Sequence, residues 1–222
     1  MRASIDDLRR RLESLADPVN AAPMAAYMRD RFEFLGVKTP ERRATSREMI
    51  RDSRQWDVDD VVDGAVELRS LPQREFHYVA SDLLARNASR LRATDLAAMQ
   101  RLVTLDAWWD TVDALASPTI GEMVLTHDAV SEAMDEWIGS DDIWVARVAL
   151  IHQLRFKERT DVDRLFAYSL RRADDTELFI RKAIGWALRQ YARTEPGAVR
   201  SFIDEHTDRF SGLTIREATK HL

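Results

Sequence analysis

A bulky apolar residue opens one segment after another at a nearly constant interval: Phe76, Trp109, Trp144, Phe179 and Leu213 stand 33, 35, 35 and 34 residues apart. Five residues beyond the anchors are Ser81, Ala114, Ala149, Ile184 and Ala218, and three beyond are Val79, Val112, Arg147, Lys182 and Arg216. A small or apolar side chain at a fixed helical offset is what stacked helices need to approach closely. Between anchors, apolar residues return at helical spacing, as in Ile143, Val145, Val148, Ile151 and Leu154, while strict alternation never lasts more than a few residues. The chain reads as all-α. Turn-forming residues punctuate it at Asp17-Pro18, Gly36 to Pro40, Ser70 to Pro72, Ser117-Pro118, Gly139-Ser140, Ala173 to Asp175, Glu195 to Gly197 and Ser211-Gly212.

An interval of this length with two helices in it predicts an α-solenoid of HEAT-like helical-hairpin repeats, each hairpin burying a face on the next. Such arrays curve, and the same helix of every unit lines a concave groove, so residues one interval apart converge there. No Pro- or Gly-rich linker divides the chain, which predicts a single domain over residues 1–222 with 1–35 as an N-terminal helical cap.

Composition narrows the function. With 45% hydrophobic residues, 7 Gly and 6 Pro, the chain has ample material for a core and too few breakers for a linker-rich or disordered design. No apolar run is long enough to span a membrane. The absence of Cys removes disulfides, thiolate zinc sites and thiol nucleophiles. Residues 1–11 are charged and lack the apolar stretch of a signal peptide, so the expected compartment is the cytoplasm. The net charge of −5 argues on its face against a polyanionic partner. Residues 57–67 and 122–142, however, hold twelve acids and no Lys or Arg, exceeding that deficit by seven, so the rest of the chain is net positive. Its basic runs lie from Arg29 to Arg54 and from Arg147 to Arg159. The acidic stretches are expected to lie away from the groove.

Phosphate-binding glycine loops, HExxH and GxSxG are all absent, and the five His (77, 127, 152, 206, 221) include no pair at i, i+4, so neither a metal nor a cofactor is expected. What stands out is LDAWWDTVDAL, residues 105–115, where Trp109 and Asp113 are four apart and share a helix face. Arg147 and Trp186 follow one and two intervals on, at offsets that could face the same groove. Each also suits a plain structural role: a packed Trp, a solvated Asp, a surface Arg in an ion pair.

In order along the chain come YMRDRFEFLGVKTPERR, REFHYVASDLL, WWDTVD, WVARVALIHQLRFKERTD, FIRKAIGWALRQYART and FSGLTIREA. Together they resemble the AlkD family of DNA glycosylases, HEAT-like-repeat enzymes that remove alkylated purines. The resemblance implies that Asp113 is the catalytic carboxylate, that Trp109 and Trp186 flank the sugar of the lesion, and that Arg147, Tyr27, Lys182 and Arg189 contact DNA. It further implies a monomer acting on duplex DNA that contains N3- or N7-alkylated purines, without enclosing a flipped base. The chemistry is coherent. Such a purine carries a positive charge and leaves as a neutral base, so no general acid is needed, and one carboxylate can stabilise the cationic sugar and hold the attacking water. No Lys lies beside the acid, so a monofunctional enzyme is expected. A noncatalytic helical-repeat scaffold binding protein or DNA is the alternative from another class. A glycosylase specialised for bulky adducts is the narrower one, and a metal-dependent nuclease lacks clustered carboxylates.

Overall fold

The computed structural model describes residues 1–220; His221, one of the five His considered above, lies outside the described residues. Among the described residues there are helices and no β-strand, with one isolated bridge between Glu33 and Gln73. No helix among them is long and apolar enough to cross a membrane. The chain forms two compact units, Met1–Leu105 and Asp106–Leu222.

The first unit holds α1 (Arg2–Glu13), α2 (Pro18–Tyr27), α3 (Thr39–Asp52), α4 (Val58–Arg69), α5 (Arg74–Asn87) and α6 (Leu96–Thr104). Ile5, Leu8 and Leu12 fall at i, i+3 and i+7 on α1, and all three are buried. Each such apolar side chain contributes about 1.5–3 kcal/mol when fully buried. Asp17 caps α2 by accepting the Val19 N–H at 2.9 Å, and Pro18 takes the position where no donor is needed. The loop into α3 turns on Gly36, at φ +89°, where a Cβ would sit 2.0 Å from the Asp17 carbonyl oxygen. The buried Glu75 carboxylate holds this loop, accepting the N–H groups of Leu35, Gly36 and Val37 at 2.9–3.1 Å.

The second unit holds α7 (Trp109–Leu115), α8 (Gly121–Thr126), α9 (Asp128–Trp137), α10 (Ile143–Ile151), α11 (Val162–Arg171), α12 (Leu178–Tyr191), α13 (Pro196–Glu205) and α14 (Gly212–Ala218). Asp142 caps α10 and Ser211 caps α14 through their side chains. Ser117-Pro118 does not break the chain as its composition suggested. A π-helical turn, Ala116–Ile120, carries α7 into α8. A widened turn tolerates proline because it relieves the clash between the ring and the preceding turn, and the missing N–H costs little where the bonding pattern already shifts.

Within each unit, side-chain hydrogen bonds join residues separated by one sequence interval. In the first, Asn87 Nδ2 donates to Ser53 Oγ at 2.8 Å across 34 residues, and Arg69 donates to the Leu102 carbonyl at 3.0 Å across 33. In the second, Arg164 donates to Ser131 Oγ at 2.6 Å and Tyr168 to Asp135 at 2.5 Å, each across 33. The interval visible in the anchors is thus also the interval at which polar side chains meet.

Candidate active site

α7 begins after Trp108, whose backbone is fully extended at φ −155° and ψ 160°. Thr111, Val112 and Leu115 turn into the core. Trp109 and Asp113, one turn apart on another face, stay half-buried. The Asp113 side chain keeps 16% of its surface accessible.

Arg147 on α10 is buried, and its guanidinium fork closes on that carboxylate: Nε donates to Oδ1 and Nη2 to Oδ2, each at 2.7 Å. Its Nη1 donates to the Phe179 carbonyl oxygen on α12 at 2.5 Å. One side chain therefore ties together α7, α10 and α12, and the planar bidentate pair fixes both the position and the plane of the carboxylate. Burial pushes the Asp113 carboxyl above its ordinary value, Arg147 pulls it back, and the like charge of Asp110 adds to the rise. A carboxylate accepts about four hydrogen bonds. Arg147 uses two of them, leaving acceptor capacity for a water or substrate group.

Three rings pack beside this junction. Trp108, Trp144 and Phe179 have centroids 5.0–5.7 Å apart. Two of these are anchors of the sequence interval, whereas Trp108 stands one place before the anchor Trp109 and was not singled out by the periodicity. On α12, Lys182, Trp186 and Arg189 lie three, seven and ten residues beyond Phe179, along one stripe. Lys182 is exposed and Trp186 half-buried. Arg189 donates to Glu217 Oε2 at 2.5 Å and to the Glu217 carbonyl at 2.9 Å, and it holds the Glu217 carboxyl below its ordinary value. Gly185 permits the close approach of α14, because a Cβ there would lie 2.5 Å from Glu217 Cβ and 2.9 Å from the Thr214 carbonyl oxygen. Tyr27 belongs to the first unit, at the end of α2, and is 72% exposed. No group of three or more His, Asp or Glu able to hold a metal occurs among the described residues.

The described residues thus define an all-helical protein with polar links at a recurring interval and a half-buried carboxylate forked by a buried arginine. The profile of the family described as DNA alkylation repair enzyme matches residues 8–222. A solved structure described as a predicted DNA alkylation repair enzyme from Enterococcus faecalis is 35% identical, covers 93% of this chain and 96% of its own, and superposes with a TM-score of 0.86. No curated protein matches the chain. The chain belongs to the DNA alkylation repair enzyme family.

Proposed function

We propose that the chain is a monofunctional DNA glycosylase that hydrolyses the N-glycosidic bond of cationic N3- or N7-alkylated purines in duplex DNA. The observation that carries this reading is the Asp113 carboxylate, held in one orientation by two 2.7 Å bonds from Arg147 while an edge stays accessible. Departure of a neutral purine leaves oxocarbenium character on the deoxyribose. At about 4 Å and an effective dielectric near 20, a carboxylate stabilises that charge by about 4 kcal/mol, and a guanidinium behind it at about 7 Å takes back about 2. The pair therefore works only with Arg147 on the far side of the acid from the sugar. Holding the attacking water on a free carboxylate lone pair supplies a further factor of about 10² or more.

Trp109, sharing the face of Asp113, and Trp186 on α12 would wall the sugar and exclude solvent, which strengthens the field of the carboxylate. Lys182 and Arg189 are assigned to the DNA backbone, where contacts position the duplex without reading its sequence, and Tyr27 of the first unit is assigned to DNA. The Arg147 donors are engaged with Asp113 and Phe179, so its part in the reaction is to hold the acid.

Release of free base from duplex DNA carrying N7-methylguanine or N3-methyladenine tests the reading. Asp113→Asn should lower release about 10²–10³-fold with duplex binding retained. Borohydride should trap no protein–DNA adduct. Equal release by both proteins removes Asp113 from the chemistry, and release by neither favours a noncatalytic scaffold.

A further inference from the structure

The first unit contains an open cavity of about 590 Å³ between α2 and α3, with Tyr78 of α5 on its wall. That volume lies within the range of about 300–1,000 Å³ typical of ligand sites. Its lining divides cleanly by chemistry. Tyr27, Tyr78, Phe34 and Met24 offer apolar and aromatic surface, while Lys38, Arg42 and Arg43 supply three cations, and no carboxylate lines it. Lys38 and Thr39 sit where the fourteen-residue α3 begins, and the Lys38 side chain forms no cap, so the first N–H groups of that helix add to the positive end.

Two further observations point to a ligand. The Arg42 side chain retains 8% of its surface, and its Nε is buried with no hydrogen-bond partner. Its guanidinium lies 4.7 Å from the Tyr78 ring centroid and 3.5 Å from Asp82, which also stands 3.7 Å from Arg43. One carboxylate thus faces two arginines and leaves the cluster net positive. The helix across the cavity, α2, carries no charged residue and buries none of its ten. Val19 on α2 is 83% exposed. An uncharged, unburied helix opposite a cationic one is arranged for a ligand with an aromatic part and an anionic part.

We infer that this cavity is a subsite for one unstacked nucleotide of a DNA strand, its base against the tyrosines and its phosphate at Lys38, Arg43 and the start of α3. The assignment rests on the reading of the chain as a DNA-acting enzyme and deepens it. Aromatic faces accept any base, so the site is indifferent to sequence.

The full chain labelled at its methionine methyl groups reports occupancy through Met24 and Met28, with Met123 and Met134 of the second unit as internal references. Thymidine 5′-monophosphate should shift Met24 and Met28 saturably and leave the references unmoved. Thymidine alone and inorganic phosphate alone should each bind at least tenfold more weakly, and an octathymidylate strand should bind more tightly than the monophosphate. The double variant Lys38→Ala, Arg43→Ala changes two exposed side chains and should weaken the monophosphate at least tenfold. Absence of a saturable shift overturns the inference, as does phosphate binding as well as the nucleotide, indifference to the double variant, or tighter binding of the free nucleotide than of the strand. Base release is measured separately, so a chain that binds the nucleotide but releases no base overturns the glycosylase reading and leaves the subsite standing.

Discussion

Asp113 and Arg147 act as one unit, and their removal has asymmetric consequences. Arg147→Ala leaves a largely buried carboxylate without its partner, a loss that costs about 3–5 kcal/mol in a closed interior and sits toward the lower figure here because an edge of Asp113 reaches solvent. Arg147→Lys keeps the charge but not the fork, so it should fold, bind duplex DNA normally and lose turnover, which single-turnover base release would register. The pH dependence follows from the same geometry. Burial already lifts the Asp113 carboxyl, and the proposed mechanism uses its ionised form, so release should fall as pH drops through a midpoint above the ordinary aspartate value. Withdrawing Arg147 removes the opposing pull and should move that midpoint further up; an unchanged profile in Arg147→Lys and Arg147→Ala would end the positioning role. The sequence placed Trp109 and Asp113 on one helix face and Arg147 one interval on. It could not say whether a cation at that offset turns outward to a phosphate or inward to the acid, because that depends on the Phe179 carbonyl, a backbone group that no side-chain pattern advertises.

α12 positions more of the proposed site than any other helix, and its placement depends on Gly185. Adding a methyl there forces it to within 2.5 Å of Glu217 Cβ and 2.9 Å of a backbone oxygen, neither of which is a flexible side-chain end. Gly185→Ala should therefore push α14 and α12 apart at a cost of about 1–3 kcal/mol despite its better helix propensity. It should also weaken the Arg189 to Glu217 contacts, which sit on the same seam. Urea denaturation gives the first quantity, and a stability equal to that of the natural chain would refute the close-packing argument. Helix starts were legible because their signals are local: Asp17 before Pro18 and Ser211 before Gly212 cap where the residues suggest. The passage through Ser117-Pro118 was not, since whether proline ends a helix or sits in a widened turn is decided by what packs on the segment, and all but Pro118 of Ala116–Ile120 are buried.

At the scale of the molecule, two of the twelve acids in the acidic stretches, one in each unit, meet donors about one interval on. Asp59 pairs with Arg92 and Asp135 accepts from Tyr168, each 33 residues away, while Asp135 also pairs with Arg164. The net charge of −5 therefore counts negative charge that is already engaged at Asp59 and Asp135. His152 lies in the second unit, between the Phe156 and Tyr168 rings at 5.8 and 6.4 Å. Its Nδ1 donates to the Ala149 carbonyl at 2.7 Å, and its buried Nε2 has no hydrogen-bond partner, so a second proton would have nowhere to bond. Burial pushes its pKa down to about 4; the nearby charge of Arg164 also lowers it, while the Ala149 carbonyl and the carboxylates of Asp161 and Asp135 oppose the shift. The folded value lies below the unfolded one, so the unfolded chain binds the proton first. The stabilisation is complete above about pH 6.5 and is lost as pH falls toward 4, at about 1.4 kcal/mol per unit and about 3 kcal/mol in all. Other carboxylates titrate in part of the same window, but the difference between the natural chain and His152→Asn isolates the histidine. Urea midpoints taken from pH 7.5 to 4 should converge for the two proteins as acid is added, and curves that stay parallel would show that His152 is not the group that titrates.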